Sequence, residues 1–284
     1  MLFSGKVAVV TGAASGLGRA LAVRLDNLGA ILALADIDAN GLEETGRLLK
    51  NSNYVLHTLD VASRGQVEQF RKVVVSTFGG VDIVINNAGV HISQRLADTT
   101  KEDFEWIMGV NFWGVVYCCQ AFLPDLMRRP ESAIANISSI YGIVSATGQG
   151  AYNTTKFAVR GFTEALRHEL IKTPVHVMGV YPGGIRTNIL RNSKFYVARN
   201  IQDSREDYIR NFDIIARTTP DAAAAVILNA LSQRRPRCLV GADARILDLA
   251  QRLFPSRYWP ILEATLYRFA RLMIRRSRTL QISK

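Results

Sequence analysis

Two side chains with complementary acid–base chemistry, Tyr152 and Lys156, stand four residues apart. The surrounding residues 151–160 have a helical pattern, and side chains at this spacing project from one helix face. A free phenol titrates at a pH of about 10, and a neighbouring ammonium favours the phenolate and lowers that pKa. The pair therefore predicts a tyrosine that can exchange protons near neutral pH. The same spacing also occurs in ordinary exposed pairs, so the prediction depends on what lies nearby.

A glycine cluster near the start of the chain has the spacing of a phosphate-binding turn. A strand-like run leads directly into a helical pattern through Thr11, Gly12, Ser15, Gly16, Leu17 and Gly18. Glycines permit the tight turn and let the backbone approach a pyrophosphate, while the helix N-terminus supplies amide donors. A strand-to-helix turn also needs glycine for structural reasons, but the alternating strands and helices that follow favour the phosphate site.

An acidic residue, Asp36, ends the second predicted strand, eighteen residues after Gly18. In a doubly wound fold a carboxylate at this position accepts hydrogen bonds from the adenosine ribose hydroxyls. It would repel a 2′-phosphate, and no basic residue between Gly12 and Gly16 offers compensation. The sequence therefore predicts NAD rather than NADP. The structural alternative for Asp36 is a solvated acid at a strand end.

Short β-branched apolar runs alternate with longer amphipathic stretches from residue 6 to about residue 240. This alternation predicts an α/β fold, a doubly wound seven-stranded parallel sheet with helices on both faces and a C-terminal helical extension. The predicted strands cover residues 6–10, 31–35, 54–58, 82–85, 133–138, 175–180 and 237–240, and two of the helices cover residues 16–28 and 63–78. The predicted domain is residues 1–242, including a substrate lid over 188–219, and residues 243–284 form the extension.

From residue 6 to about residue 240 the chain resembles the short-chain dehydrogenase/reductase family, which has a Rossmann fold. Its glycine pattern matches residues 11–18, and its Asn-Asn-Ala-Gly turn matches residues 86–89. Its adenine-binding acid falls on Asp60, and its nicotinamide segment falls on residues 182–187, where Gly184 loosens the turn. The resemblance implies cofactor contacts from Gly12, Ser15, Gly16, Leu17, Gly18, Asp36, Asp60, Val61, Asn87, Ala88, Gly89, Tyr152, Lys156, Pro182, Gly183, Ile185 and Thr187.

The family's four catalytic residues fall on Asn111, Ser139, Tyr152 and Lys156, with none substituted. The resemblance implies that Ser139 holds the substrate oxygen, that Tyr152 moves its proton, and that Lys156 assists the tyrosine and binds the nicotinamide ribose. Asn111, in a helix beginning near Glu105, matches a residue that holds a water beside the lysine. A hydrogen bond at a helix kink is its structural alternative. Ser138 competes with Ser139, and the thirteen-residue spacing to Tyr152 favours Ser139.

These features predict an NAD(H)-dependent oxidoreductase that interconverts a secondary alcohol and a ketone on a hydrophobic small molecule. A non-catalytic nucleotide-binding scaffold or sensor is the alternative, although such a protein would be expected to lack one or more of the four residues. A sugar-nucleotide epimerase is disfavoured by the glycine spacing and by the absence of a large second domain. Family resemblance also implies a homodimer or homotetramer through the helices near Asn111 and Tyr152.

The predicted lid combines apolar and basic residues. An apolar ligand is favoured by Leu190, Phe195, Tyr196, Val197, Ile201 and Tyr208. An acidic substrate group is the alternative, offered by Arg191, Lys194, Arg199 and Arg205. Long cations on such a segment are more often solvated, so the apolar ligand is preferred.

Much of the formal net charge of +11 lies near the end of the chain. Residues 245–284 contain eight arginines and Lys284 against two acids. A final helix is predicted after Pro255 and Pro260, with an apolar face (Leu262, Leu266, Phe269 and Met273) and a basic face (Arg268, Arg271 and Arg275). Such a helix either lies on an anionic membrane surface or packs on this protein's core or a partner subunit. No motif for binding nucleic acid accompanies the basic charge.

The remaining composition indicates where the protein works. Three cysteines are too few for a disulfide framework, and the N-terminus lacks the pattern of a signal peptide. A cytoplasmic location, with peripheral membrane association as a further option, is therefore expected. The histidines, His57, His91, His168 and His176, lack metal-ligand spacing, so no metal is predicted. His91 is noted because it follows the Asn-Asn-Ala-Gly turn, although a lone loop histidine is usually structural or solvated.

Overall fold

A computed structural model describes residues 2–196 and 205–260. Seven strands form the main sheet in these ranges, and two short strands form a separate pair. In chain order the strands are β1 (Val7–Thr11), β2 (Ile31–Asp36), β3 (Tyr54–Thr58), β4 (Ile83–Asn86), β5 (Ile92–Ser93), β6 (Ser132–Ile137), β7 (Val175–Pro182), β8 (Lys194–Phe195) and β9 (Arg237–Val240). The seven strands predicted from the sequence are confirmed, with bounds that differ by at most two residues.

The main sheet is parallel throughout, in the order β3-β2-β1-β4-β6-β7-β9. Its strand order reverses direction between β1 and β4, which opens a crevice at the carboxyl ends of the strands. All five residues of β1 are buried, because helices cover both faces of the sheet. The predicted doubly wound Rossmann fold is confirmed.

The helices in the described ranges fall on both faces of the sheet. They are α1 (Gly16–Asn27), α2 (Ala39–Arg47), α3 (Arg64–Phe78), α4 (Lys101–Met108), α5 (Gly114–Leu126), α6 (Gly150–Glu169), α7 (Arg205–Ile215), α8 (Pro220–Ser232) and α9 (Ala242–Leu253). One core joins α1 and α8 through residues such as Leu21 and Ile227. The opposite core contains Phe70 of α3, Phe122 of α5 and Val159 of α6. The two cores lie on opposite faces of the sheet and fix the strand ends that form the crevice.

The segment Lys101–Leu126 is a single long helix with a π-helical turn at Gly109–Trp113 between α4 and α5. It begins at Lys101, not near Glu105, because Thr100 caps it by accepting a hydrogen bond from the Asp103 amide at 3.2 Å. In the described residues it is the one helix long and apolar enough to cross a membrane, yet half of its most apolar stretch is buried inside the fold. It packs against α3 and β4 as a core helix.

The lid segment is joined to the body by the small parallel sheet of β5 and β8. Backbone amides of Lys194 and Tyr196 donate to the carbonyls of His91 and Ser93, at 3.2 Å and 3.0 Å. The aromatic rings of Phe195 and Tyr208 then lie 5.6 Å apart, which connects β8 to α7. Val197, Arg199 and Ile201 of the predicted lid lie outside the described residues.

The start of the predicted C-terminal extension packs on the main body. Ala244 of α9 is fully buried, and the buried Asp248 pairs with Arg237 of β9. The Tyr258 hydroxyl accepts a hydrogen bond from the Ser145 amide at 3.0 Å. The predicted final helix, from Leu262 to Met273 on its apolar face and with Arg268, Arg271 and Arg275 on the other, lies outside the described residues.

Candidate active site

Tyr152 and Lys156 lie in the first turns of α6, beside the carboxyl end of β6. Lys156 Nζ donates to the carbonyl oxygen of Ile137, the last residue of β6, at 3.1 Å. The same nitrogen lies 5.6 Å from the centroid of the Tyr152 ring. Both side chains are buried. The helical spacing thus brings the phenol and the ammonium to the crevice where strands β1, β4 and β6 end.

Burial governs the ionisation of both groups. It raises the pKa of the Tyr152 phenol to about 12, against the opposing effect of a hydrogen bond with Ser139. It also lowers the pKa of Lys156 to about 8. The expectation that the Tyr152 pKa lies below its ordinary value is therefore corrected: desolvation outweighs the other effects on the phenol, and the Lys156 ammonium donates to a backbone carbonyl. At neutral pH the pair is a neutral phenol, able to donate a proton, beside a largely protonated amine.

The two serines that follow β6 have different contacts. The Ser139 hydroxyl is hydrogen-bonded to the Tyr152 phenol and also accepts from the Tyr141 amide at 3.1 Å. The Ser138 hydroxyl donates to the Lys156 carbonyl oxygen at 2.8 Å. Ser138 therefore fastens the sheet to α6, while Ser139 shares the tyrosine's polar end. These contacts agree with the choice of Ser139 made from spacing.

Asn111 lies fully buried in the middle of the π-helical turn. Its Oδ1 accepts from the Val90 amide at 2.8 Å, and its Nδ2 donates to the Val90 carbonyl at 2.9 Å and the Thr155 hydroxyl at 3.0 Å. It thereby connects the loop after β4 to α6, next to Lys156. Its contacts are those of the structural alternative, a hydrogen bond at a helix irregularity, and they place it next to the amine as well.

The glycine turn packs tightly against the end of β4. Gly12 has a φ of +67°, and a Cβ there would lie 2.7 Å from the Ala88 Cα, so only glycine fits. The Thr11 hydroxyl accepts from the amides of Asn87 and Ala88, both at 3.1 Å. Helix α1 then begins at Gly16 without a side-chain cap and without an acid in its first turn. Its uncapped amides suit an anion such as a pyrophosphate.

The predicted ribose-binding acid, Asp36, is fixed at the end of β2 beside this turn. Its two carboxylate oxygens accept from the Ala14 amide at 2.9 Å and the Asp38 amide at 3.0 Å. The nearby cation Arg19 donates to the Ala14 carbonyl, Thr45 and Glu44. This corner of the crevice therefore has a carboxylate, Asp36, in a fixed position and a cation, Arg19, whose N–H groups already have hydrogen-bond partners.

Four further residues predicted to contact the cofactor lie after strands β3, β4 and β7. The Asp60 carboxylate accepts from the Ala62 amide at 2.9 Å, and Val61 is buried after it. A Cβ on Gly89 would lie 3.5 Å from Lys156 Nζ, so glycine keeps the space beside the amine open. After β7, Thr187 approaches Gly16, where a Cβ would lie 3.2 Å from the threonine methyl.

The segment between Pro182 and Thr187 is held by α9 and by the start of α8. Gly183 donates to the Val240 carbonyl at 2.9 Å, and Gly184 donates to the Asp243 carboxylate at 2.6 Å. Ile185 is buried and forms a bridge with Thr218. The extra glycine that loosens this turn is thus tied down by Asp243.

Described basic residues of the lid contact other protein groups. Arg191 pairs with Asp213 at 2.6 Å, and Arg205 donates to the Arg191 carbonyl at 2.6 Å. Lys194 pairs with Asp103 at 2.8 Å and lies over the Trp106 ring. Lys194 therefore attaches the lid to α4, while the two arginine contacts lie within the lid. Leu190 is buried, and the Phe195 ring packs on Tyr208.

Sequence reasoning missed Tyr141 and Gln149. The Tyr141 ring meets the Tyr152 ring edge-on at 6.4 Å, and its phenol contacts Gln149. Gln149 also joins His91 to Tyr208 of the lid. Neither residue belongs to a motif, and no periodicity in the sequence distinguishes them from other loop residues.

The family model for short chain dehydrogenases matches residues 6–195, which is most of the chain. The chain belongs to the short-chain dehydrogenase/reductase family. This assignment confirms the family resemblance predicted from the sequence.

Similar members of the short-chain dehydrogenase/reductase family extend over nearly the whole chain. A Mycobacterium tuberculosis protein, SadH, assigned by name to the oxidoreductases, is 41% identical over 94% of this chain and 97% of its own. A Burkholderia phymatum family member solved in complex with NAD has a TM-score of 0.81 and 28% identity, covering 89% of this chain and 95% of that one. A Brucella melitensis 3-ketoacyl-(acyl-carrier-protein) reductase complexed with NADH has a TM-score of 0.73 and 27% identity, with coverage of 84% and 97%.

Proposed function

We propose that this protein is an NAD(H)-dependent oxidoreductase that interconverts a secondary alcohol and a ketone on an apolar small molecule. The observation that carries the proposal is the meeting of Tyr152, Lys156 and Ser139 at the strand ends, beside an uncapped glycine turn. Family membership supports the reaction class, and the NAD and NADH in two similar structures support the cofactor.

The described residues fit the parts of a nicotinamide dinucleotide. The α1 amides suit the pyrophosphate, and Asp36 suits the adenosine ribose hydroxyls. Asp60 with Val61 would border the adenine, and residues 182–187 would border the nicotinamide carboxamide. Asn87, Ala88 and Gly89 run from the glycine turn to Lys156 and would border the cofactor between them. When bound, the nicotinamide supplies or accepts the hydride.

In the direction of ketone reduction, Ser139 donates a hydrogen bond to the carbonyl oxygen and supports the charge that develops on it. Tyr152 transfers its phenolic proton to that oxygen as the carbon gains the hydride, so that the alcohol leaves neutral. Lys156, protonated at neutral pH, stabilises the phenolate that remains and would hold the nicotinamide ribose when the cofactor is bound. Asn111 holds the loop after β4 against α6, which fixes the amine's position. Oxidation uses the same groups in reverse.

An apolar substrate is the class that the lid favours. The described cations predicted to meet an acidic substrate, Arg191, Lys194 and Arg205, are engaged with acids and carbonyls of the protein itself. Tyr196 and Ile214 give the lid exposed apolar surface. The alternative of an acidic substrate group loses support because those cations already have partners.

The central test is Tyr152→Phe, which removes the transferable proton and keeps the ring. We expect kcat to fall by a factor of about 10³ or more, because a general acid–base group typically contributes about 10²–10⁴. Binding of NADH, followed by its fluorescence, should survive. A screen of ketones and alcohols, monitored through the absorbance of reduced nicotinamide, measures turnover with NAD and NADP in parallel.

Tyr54→Phe is the matched control, since it removes the same atom from a residue on β3, at the edge of the sheet. It should leave kcat near that of the wild type. Near-normal turnover in Tyr152→Phe would contradict the acid–base role. Nucleotide binding without turnover in the wild type would favour the non-catalytic scaffold or sensor.

Assembly, location and domain division stay predictions. Trp113 is 46% exposed and stacks on Tyr117, and Phe157 is also exposed, so the outer faces of α5 and α6 offer aromatic surface to a second copy. This supports a homodimer or homotetramer.

The cytoplasmic location and the domain boundary at residue 242 rest on the sequence alone. Peripheral membrane contact is proposed for the C-terminal part, where α9 exposes apolar residues.

A further inference from the structure

His91 lies in the loop after the Asn-Asn-Ala-Gly turn, directly against the proposed proton donor. Its ring centroid is 4.8 Å from that of Tyr152, and the side chain is 3% exposed. The backbone around it is also fixed, since its carbonyl accepts from the Lys194 amide of β8. The imidazole is therefore a held part of the wall beside Tyr152.

The hydrogen bonds of Gln149 decide which imidazole nitrogen carries the proton. Gln149 Nε2 donates to the Tyr208 hydroxyl at 2.7 Å, which turns Oε1 toward His91 Nε2 at 3.2 Å. An amide oxygen only accepts, so Nε2 must be the protonated nitrogen in the neutral ring. Nδ1 is then left with a free lone pair.

That lone pair has no hydrogen-bond partner among the residues that the structure describes, although the atom is fully buried. A buried acceptor without a partner costs about 1–3 kcal/mol, so such atoms in native proteins usually meet a donor from water or a ligand. The Tyr152 ring packs on the imidazole, and the Gln149 amide nitrogen already donates to Tyr208. Residues 2–196 and 205–260 therefore supply no donor to Nδ1, and a bound substrate is a natural source of one.

We propose that His91 Nδ1 accepts a hydrogen bond from a second polar group of the substrate, a hydroxyl or N–H one or two bonds from the reacting carbon. This rests on the proposed function, because it places the reacting oxygen at Tyr152 and Ser139. The substrate class is thereby narrowed from simple ketones to hydroxyketones, and in the other direction to diols. His91 is a specificity-determining residue in this scheme, with no part in proton transfer.

Electrostatics agree with an acceptor role. Burial lowers the pKa of His91 to about 4, in spite of the opposing hydrogen bond with Gln149, so the ring is neutral at working pH. A neutral ring with its proton on Nε2 accepts at Nδ1 and favours a hydroxyl over a carbonyl oxygen, which has nothing to donate.

The first measurement compares 2-hydroxycyclohexanone with cyclohexanone as probes of the NADH-bound wild type. They differ by one hydroxyl beside the ketone. We expect kcat/KM to be at least tenfold higher for the hydroxyketone, because a ketone without the hydroxyl leaves the buried acceptor, His91 Nδ1, unpaired. Equal kcat/KM values for the two ketones would overturn the proposal.

Three variants separate the acceptor from the shape of the ring. His91→Phe keeps an aromatic ring against Tyr152 but removes both nitrogens. His91→Gln places polar atoms near the Nε2 position. Both variants should lose the preference for the hydroxyketone. His91→Asn places its amide oxygen near the Nδ1 position and should keep part of it. A preference that survives in His91→Phe, or one lost equally in all three, would contradict the role of Nδ1.

A measurement independent of turnover distinguishes this proposal from the proposed function. The ¹⁵N spectrum of His91 in the NADH-bound protein should show protonation at Nε2, and adding cis-1,2-cyclohexanediol, but not cyclohexanol, should shift the Nδ1 signal. A proton on Nδ1, or no shift with the diol, would overturn the assignment. If neither ketone is reduced yet the diol shifts Nδ1, the His91 site stands and the proposed reaction fails.

Discussion

At the scale of a single residue, Asp36 is the residue that we propose to select the nucleotide. Its oxygens are held by the amides of Ala14 and Asp38, so the carboxylate cannot turn away from the crevice without losing both bonds. Arg19, the nearest cation described there, is bound to Ala14, Thr45 and Glu44. A 2′-phosphate would therefore meet a fixed negative charge and no free positive one.

We expect Asp36→Asn to weaken NAD binding about tenfold, because a charge-assisted hydrogen bond to the ribose is replaced by a neutral one. The affinity for NADP should fall less or rise, since the repelling charge is gone. Calorimetric titration with each nucleotide measures both constants. Asp38→Asn is the control: it removes a charge two residues away, while asparagine retains the N-cap of α2. An unchanged ratio of the two affinities in Asp36→Asn would refute the assignment.

Individual residues also show where sequence reasoning succeeds. The positions of Tyr152 and Lys156 follow from helical spacing, and Asp36 follows from its place at a strand end. The direction of the Tyr152 pKa could not be predicted, because it depends on burial by loops that are distant in sequence. The contacts of Gln149 could not be predicted either, since they join three segments that periodicity does not connect.

At the scale of elements, the strand-to-helix turn after β1 carries the largest steric constraint. Gly12 adopts a left-handed conformation at the point where its backbone contacts Ala88, after β4. Gly79 ends α3 with a similar φ of 73°, but a Cβ there would meet nothing within 4 Å. Substituting each of the two glycines therefore distinguishes the free-energy cost of backbone strain from the cost of a close packing contact.

Gly79→Ala should lower the free energy of unfolding by about 1 kcal/mol, the usual cost of a left-handed conformation for a residue with a Cβ. Gly12→Ala should cost this amount plus about 1–3 kcal/mol for the overpacked contact with Ala88, and it should also weaken NADH binding. Urea denaturation gives the stabilities, and NADH fluorescence gives the affinities. Equal losses of stability in the two variants would contradict this account of the turn.

Elements differ in how well the sequence predicts them. Buried parallel strands appear as apolar runs between turns, so all seven were predicted to within two residues. The π-helical turn around Asn111 was not, because its cause is the set of bonds from Asn111 to Val90 and Thr155. The strands β5 and β8 have two residues each, too few for any alternation to show.

At the scale of the whole molecule, charge and apolar surface coincide at one end. Helix α9 exposes Ile246 (63%), Leu249 and Leu253, and Phe254 follows them. Arg245 and Arg257 are exposed on the same segment, and the sequence beyond residue 260 adds further arginines. An exposed apolar stripe flanked by positive charge fits an anionic lipid surface.

We expect the full-length protein to sediment with vesicles containing phosphatidylserine, and far less with vesicles of phosphatidylcholine alone. The double variant Leu249→Glu/Leu253→Glu should bind the anionic vesicles at least tenfold more weakly, because it loses apolar burial and adds negative charge. Ile171→Glu, at an apolar site that is also exposed but distant in the chain, is the control and should bind nearly as the wild type does. Equal binding by the double variant and the control would remove α9 from the membrane contact.

The pairing of β5 with β8 couples the lid to the loop that carries His91. The amides of Lys194 and Tyr196 donate to the carbonyls of His91 and Ser93, so the lid strand and the histidine loop share one set of backbone bonds. Separating β8 from the body breaks the bond at His91 in the same step. A movement of the lid strand therefore also disturbs the His91 loop, and we expect the strength of these two amide hydrogen bonds to affect how long a bound diol stays.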